Sequence, residues 1–328
     1  MTKLKHGICR GQSLINKPVI CIQGPTASGK SSLAEELANI IGAEIISADS
    51  MQIYRGMDIG TAKVTNSKYN IPYHCIDLVD PGCPYSAALY QKDARSAIED
   101  IKSRNLFPII CGGTGLYVRA ALDDMDFASG EQQSNPIREK YSAIANEHGN
   151  EYLHELLQKA DPESAKLIHP NNVRRVVRAF EMLSEGESYA MRKQRFKEVS
   201  SFYETLRFAL CVDVDKLNAR INSRVDQMFE EGLLEEVKGL LDKGFRDGIT
   251  AQQAIGYKEV VDYLDGRCSL QESSKAIKQA TRRYAKRQRT WLRSDKRNIW
   301  INADDGITSN VIEECIQHIN GFLENAEV

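Results

Sequence analysis

Short apolar runs alternate along the chain with stretches of helical period. Val19–Gln23 reads as a strand, followed by a glycine-rich turn and a helix from about Ser31 to Ile41. Glu44–Ala48 and Phe107–Cys111 read as further strands, the second ending in Gly112-Gly113. Phe208–Val214 and Ile299–Asn302 read as two more. Strands alternating with helices predict an α/β fold, a mostly parallel sheet with helices on both faces.

The middle of the chain has a different pattern. From about Ser129 to Leu206 no strand is visible, and Glu151–Ala160, Asp161–Ile168 and Val173–Leu183 are helical by period. Turn signals at Pro136, Gly149-Asn150, Asp161-Pro162 and His169-Pro170-Asn171 separate them. This predicts an all-helical domain, 129–206, inserted into a P-loop-containing parallel sheet core made of 1–128 and 207–328. The part from about Val225 to Arg293 is again largely helical.

Composition narrows the class. The chain has 328 residues, enough for two domains or one large domain with an insertion. Its 42% hydrophobic and 27% charged residues suit a globular protein. Apolar runs such as Val19-Ile20-Cys21-Ile22 fall far short of the ~20 residues a membrane span needs. The first 18 residues are polar and basic, so neither a membrane role nor a secretory signal is expected. None of the eight cysteines stands in a C-x-x-C pair, and the six histidines form no ligand pattern. Free thiols in a reducing cytoplasm are therefore expected, and no zinc site.

Charge adds one feature. The net charge is −2, but Lys275–Arg297 holds ten Lys/Arg against the single acid Asp295. That is a local +9, which leaves −11 for the rest of the chain. Such a concentrated basic helix suits phosphate contacts, with Tyr284 and Trp291 available to stack on bases or to pack in the core.

The candidate chemistry begins after the first strand. Gly24-Pro25-Thr26-Ala27-Ser28-Gly29-Lys30-Ser31 matches G-x-x-x-x-G-K-[ST] between a strand and a helix, the context of a P-loop. Backbone N–H groups and the helix N-terminus can cradle a polyphosphate or pyrophosphate. Lys30 adds a mobile charge, and the Ser31 hydroxyl can sit on Mg²⁺. Asp49, past the end of the second strand, lies near this loop if the two strands are neighbours. It could hold Mg²⁺, act as a general base, or cap a helix. Gly112-Gly113-Thr114-Gly115 carries no acid but lets a backbone or ligand approach closely and offers the Thr114 hydroxyl. A P-loop alone fits a kinase or ATPase as well as a diphosphate enzyme.

Taken together, these segments resemble the tRNA dimethylallyltransferases, the isopentenyl-pyrophosphate transferases that modify an adenosine beside the anticodon. The matching stretches are GPTASGKS at 24–31, SADSMQIYRGMDIGTAK at 47–63, GGTGLY at 112–117, ADPESAKLIHPNNVRRVVRAFE at 160–181, RINSRVDQM at 220–228, AIGYKE at 254–259 and TRRYAKRQRTWLR at 281–293. Their order is also the family's. The resemblance implies transfer of a dimethylallyl group from dimethylallyl diphosphate to N6 of the adenosine 3′ of the anticodon. Pyrophosphate leaves, and Mg²⁺ is the cofactor. It implies Asp49 as the base, Thr26 near the diphosphate and Thr114 near the substrate. An arginine of RINSRVDQM should bind the diphosphate, Arg224 being preferred to Arg220.

The resemblance also implies the RNA contacts. These are Asp49, Ser50, Met51 and Gln52, with Thr114, at the acceptor base. Gln253, Gly256 and Tyr257 should lie near displaced bases. Arg138, Arg174, Arg175, Val176, Val177 and Arg178 should meet the anticodon stem–loop, and Arg282, Arg283, Lys286 and Arg287 should meet phosphates. Three departures stand out. Ala251-Gln252 replaces a basic residue common in relatives, Ser31 replaces the more usual Thr, and no zinc finger follows the basic helix, which favours the bacterial type. A cytoplasmic monomer is expected. A kinase, or a transferase acting on free adenine nucleotides, would leave the basic helix unexplained.

Overall fold

The computed structural model describes residues 17–125, 127, 136–195, 200–248 and 250–325. The polar N-terminal stretch, Cys9 and the expected boundary at Ser129 lie outside them, apart from residues 17 and 18. The chain forms two compact units, Met1–Asp123 with Ser201–Val328, and Asp124–Ser200.

The first unit is built on one six-stranded, all-parallel sheet in the order β3-β2-β4-β1-β5-β6. The strands are β1 (Val19–Gln23), β2 (Ala43–Ser47), β3 (Tyr73–His74), β4 (Phe107–Gly112), β5 (Thr205–Cys211) and β6 (Asn298–Asn302). The helices between the first strands are α1 (Lys30–Ile41), α2 (Ala87–Ser103) and α3 (Gly115–Leu122). β1, β2 and β4 are buried along their whole length, as a sheet covered on both faces requires. Their C-terminal ends are level, with Gln23 opposite Gly112 and Ser47 opposite Cys111.

Two sequence expectations change here. β1 and β2 are not neighbours, because β4 lies between them. Asp49 still reaches the loop after β1 because Gly112 lets the β2 and β4 ends close together. A Cβ at Gly112 would stand 2.2 Å from the Ala48 carbonyl oxygen. The fifth strand starts at Thr205, three residues before the predicted Phe208. Arg207 disguised it: this arginine is 1% exposed and paired with the fully buried Asp123 at 2.6 Å. Val214 opens a helix instead, capped by Asp213.

The second unit holds α4 (Pro136–His148), α5 (Asn150–Ala160), α6 (Pro162–Leu167), α7 (Val173–Ser184) and α8 (Tyr189–Arg195). Val176, Val177, Ala179 and Phe180 of α7 pack with Leu153 and Leu157 of α5. Tyr141 stacks on Phe180 with ring centroids 3.8 Å apart. The predicted limits 129–206 become 124–200. Residues 201–206 belong to the first unit, since Thr205 and Leu206 already pair with Val19 and Ile20.

The chain returns to the first unit with α9 (Val214–Glu230), α10 (Leu233–Leu241), α11 (Tyr257–Leu264), α12 (Leu270–Ser294) and α13 (Ser309–Asn325). α12 starts at a capping box of Ser269 and Glu272. It stops at Ser294, so Lys296 and Arg297 lie beyond the basic helix. α13 and the two-residue β3 carried no recognised sequence signal. No described helix is long and apolar enough to cross a membrane.

Glu44 illustrates how the sheet edge is pinned. Hydrogen bonds from Arg104, and then from His74, hold its carboxyl down at about 2. A depressed carboxylate pKa stabilises the fold above the unfolded value and loses that contribution as pH falls toward the folded one. Arg104 is half-exposed, so screening limits the stabilisation to about 1 kcal/mol. E44Q is expected to be less stable than wild type by that amount at pH 7. The gap should close as pH falls from about 4.5 to about 2 in urea melts.

Candidate active site

The loop from Gly24 to Gly29 leaves β1 and runs into α1. Ala27 has φ +63° and Gly29 φ +93°, both left-handed. A non-glycine held there is strained, and such residues persist where the surrounding structure enforces them. Backbone bends of this kind can turn successive N–H groups toward an anion. Ser28 is fully buried beneath Gly24, and its Oγ has no partner among the described residues. Gly24, Pro25 and Ser28 thus shape the loop, while Thr26, Ala27, Gly29, Lys30 and Ser31 line a cavity of about 910 Å³.

All residues around this cavity belong to the first unit. Lys30 Nζ donates to the Pro25 carbonyl at 2.9 Å. Burial pulls its ammonium down to about 8, with Arg224 adding to the fall and Asp49 opposing it. Arg224, from α9, donates to Thr26 Oγ1 at 3.3 Å and to the Thr61 carbonyl at 3.4 Å. Burial lowers its pKa while Asp49 opposes this. Arg220 points elsewhere, donating to the carbonyls of Ala303 and Asp304 at 3.0 and 2.6 Å. Geometry therefore puts Arg224, and not Arg220, in the cavity.

Asp49 faces the same space. Its Oδ1 accepts from the Met51 N–H at 2.9 Å, and Oδ2 has no protein partner among the described residues. Ser50 N–H donates to Thr114 Oγ1 at 3.1 Å, tying the β2 turn to the β4 turn. Gln52 accepts from Ser47 at 2.7 Å and donates to the Thr61 carbonyl at 3.2 Å. Ser50, Met51, Gln52 and Gln253 line the cavity. Tyr284, from α12, closes one side, and burial pushes its phenol up to about 12. It is a neutral hydrogen-bonding group at physiological pH.

A Mg²⁺ fits the donors present. Ser31 supplies a hydroxyl and Asp49 a carboxylate on one cavity. Mg²⁺ is commonly held by one or two such groups together with substrate phosphates and water. No group of three or more His, Cys, Asp or Glu able to hold a metal occurs among the described residues, so phosphate oxygens would supply much of the shell.

Several expected RNA contacts are corrected by burial. Val176 and Val177 are 0% and 4% exposed in the core of the second unit, so their side chains meet no RNA. Tyr257 is fully buried, with its hydroxyl donating to Glu236 at 2.6 Å. Gly256 is buried as the N-cap of α11, its N–H donating to Glu259. Arg174 and Arg175 are exposed and enter no ion pair among the described residues. Arg138 and Arg178 instead flank Glu181, at 2.6 and 2.9 Å. On α12, Arg283, Lys286 and Arg287 are exposed, while Arg282 donates to Asn222 at 2.6 Å.

Some residues of the site were given no role by the sequence, although Lys63 and Gln288 fall within the matching stretches. Glu236 accepts from the N–H groups of Asp58, Ile59 and Gly60 at 3.0, 2.8 and 3.2 Å. Lys63, 2% exposed, donates to Asp58 at 2.5 Å and to Asp77 at 2.6 Å. Together they hold the cavity wall that presents Thr61. Gln288, described below, is the third.

A parallel α/β sheet with a loop of P-loop sequence at its strand-order switch, facing an acid and a half-buried arginine, has the architecture of a P-loop enzyme. Comparison with known proteins makes this specific. The IPP transferase family model matches residues 52–295 and the isopentenyl transferase model residues 17–71. A "tRNA dimethylallyltransferase" of Alkaliphilus metalliredigens is 44% identical, covering 94% of this chain and 99% of that one. The crystal structure of the tRNA isopentenylpyrophosphate transferase of Bacillus halodurans superposes with a TM-score of 0.70 at 41% identity, covering 95% and 98%. A eukaryotic dimethylallyltransferase acting on tRNA gives 0.78 at 30% identity, covering 94% and 80%. The chain belongs to the IPP transferase family.

Proposed function

We propose that the cavity binds dimethylallyl diphosphate and transfers its dimethylallyl group to N6 of the adenosine 3′ of the anticodon in tRNA. The products are pyrophosphate and N6-(dimethylallyl)adenosine. The observation that carries this reading is the meeting of Lys30, Arg224 and Asp49 on one cavity of about 910 Å³. Two half-buried cations suit a diphosphate, and a carboxylate beside them suits proton removal from an amine. The volume lies in the range of small-ligand sites.

The adenine amino group attacks C1 of the allyl chain as the C1–O bond breaks. Negative charge grows on the departing diphosphate, where loop N–H groups, Lys30 and Arg224 are already fixed to oppose it. Thr26 Oγ1, beside Arg224, adds a hydroxyl at the same end. The amino lone pair is delocalised into the ring, so N6 becomes a competent nucleophile only as its proton leaves. Asp49 takes that proton. Ser31 would hold Mg²⁺, which when bound would supply further charge neutralisation on the diphosphate.

The RNA lies against exposed Arg283, Lys286 and Arg287, with Arg282 alongside, and these contact phosphates. Ser50, Met51, Gln52, Thr114 and Gln253 meet the unstacked acceptor base. Arg174 and Arg175 contact the anticodon arm. Arg138 and Arg178 reach it only with the donors that Glu181 leaves over. In this reading the enzyme acts in the cytoplasm, and its cavity needs no residue from a second subunit.

The test is transfer of labelled dimethylallyl diphosphate to an unmodified tRNA transcript with adenosine after the anticodon, with ATP and AMP as parallel acceptors. Label in the tRNA alone supports the reading. Label in free nucleotide, or ATP hydrolysis without transfer, defeats it. Arg224→Ala should raise the KM for dimethylallyl diphosphate about 10–100-fold, since hydrogen bonds to charged groups contribute about 1.5–3 kcal/mol. Arg220→Ala should leave that KM within about twofold and lower the melting temperature instead, because its role is to bind backbone carbonyls.

A further inference from the structure

We propose that Gln288 is a positioning residue that fixes the phosphate loop from the basic helix, an inference that rests on the diphosphate reading above. Gln288 is 6% exposed on the inner side of α12 with Ala285 and Leu292. Its Oε1 accepts from the Thr26 N–H at 2.9 Å, and its Nε2 donates to the Gly113 carbonyl at 2.9 Å. One side chain therefore joins the loop after β1 to the turn after β4.

The chemistry selects glutamine here. The Thr26 N–H can only donate and the Gly113 carbonyl can only accept, which forces the amide into one orientation. A carboxylate offers no donor, a lysine or arginine no acceptor, and a methionine no donor and a poor acceptor. Position 113 must be glycine for the amide to come this close: a Cβ there would stand 2.1 Å from Gln288 Nε2.

The clamp has two consequences for the diphosphate. It commits the Thr26 N–H to the protein, and since Ser28 N–H donates to the Pro25 carbonyl at 3.2 Å, the amides of Ala27, Gly29 and Lys30 remain for phosphate. It also holds Thr26 so that its hydroxyl lies 3.3 Å from Arg224. The outer side of the same helix exposes Arg283 and Lys286, and Arg287 is exposed at the cavity rim. Loop geometry is thus set by the element proposed to carry the RNA.

The experiment compares Gln288→Met, Gly113→Ala and the double variant. Pyrophosphate affinity is measured by calorimetry, and KM for dimethylallyl diphosphate and for tRNA by transfer. Each single variant is expected to weaken pyrophosphate binding about tenfold, the scale of one or two lost hydrogen bonds, with the tRNA KM within about twofold. Both changes break the same contact, so the double variant should bind within about twofold of the weaker single one. Packing defects without a shared contact would multiply to about a hundredfold. Wild-type affinity in Q288M, or that multiplied loss, overturns the proposal. Should Q288M fail to fold, Gln288→Asn, too short to span both partners, takes its place. Absence of pyrophosphate binding in the wild type, or binding left unchanged by Lys30→Ala, would instead defeat the diphosphate reading itself.

Discussion

Replacing Asp49 with alanine is expected to lower the rate of dimethylallyl transfer by about 10²–10⁴-fold, the usual contribution of a positioned general base. The affinity for tRNA should stay within about threefold. The carboxylate stands two residues beyond β2, and one oxygen is spent on the Met51 N–H while the other faces the cavity. An alanine variant also loses that turn hydrogen bond, so a rate loss alone would mix chemistry with geometry. Asparagine separates the two. Asp49→Asn keeps an acceptor for Met51 N–H but is not basic, and it should be almost as slow as the alanine variant. Single-turnover rates measured with bound tRNA would read the chemical step directly. An asparagine variant retaining more than about a tenth of the rate would assign Asp49 to the turn, not to proton transfer.

The same residue shows how far the sequence could be read. The P-loop was visible because its chemistry is local: four specified residues in an eight-residue stretch between a strand and a helix dictate a phosphate cradle. Asp49 was visible as the residue after a strand. Its distance from the loop was not, because that depends on β4 entering between β1 and β2. The Gly112 contact with Ala48 is what makes the insertion harmless. Arg224 was preferred on position alone, and only the hydrogen bonds of Arg220 to Ala303 and Asp304 separate the two.

Long-range polar pairs were the least legible class. Glu236, Lys63 and Gln288 each read as ordinary helix or loop polarity, since nothing local tells a buried lysine from a solvated one. Their partners lie up to 262 residues away, as with Thr26 and Gln288. Val176 and Val177 show the opposite failure. A family segment that meets RNA also has to pack its own helix, and the apolar stripe of α7 does that. The exposed Arg174 and Arg175 remain for the ligand.

Asp123→Ala is expected to destabilise the first unit by about 3–5 kcal/mol, the cost of breaking a buried ion pair by removing one partner. Asp123 is fully buried and receives Arg207 at 2.6 Å, Arg297 at 2.8 Å and Arg119 at 3.2 Å. Its loss would leave Arg207, 1% exposed, with Asp295 at 3.2 Å as its remaining carboxylate. Arg207 lies in β5, covered between β1 and the edge strand β6, and is too buried to turn to water. Asp123 also forms a bridge with Ser201, where the chain leaves and re-enters this unit. The charge cluster therefore fixes both ends of the insertion. Arg207→Met tests the pairing from the other side, because a methionine fills similar length without needing a partner. In urea melts the double variant D123A/R207M should be more stable than D123A alone, since it no longer buries an undercompensated guanidinium. If D123A lost less than about 1 kcal/mol, or if the double variant lost the sum of the singles, the cluster would be filling space and not compensating charge.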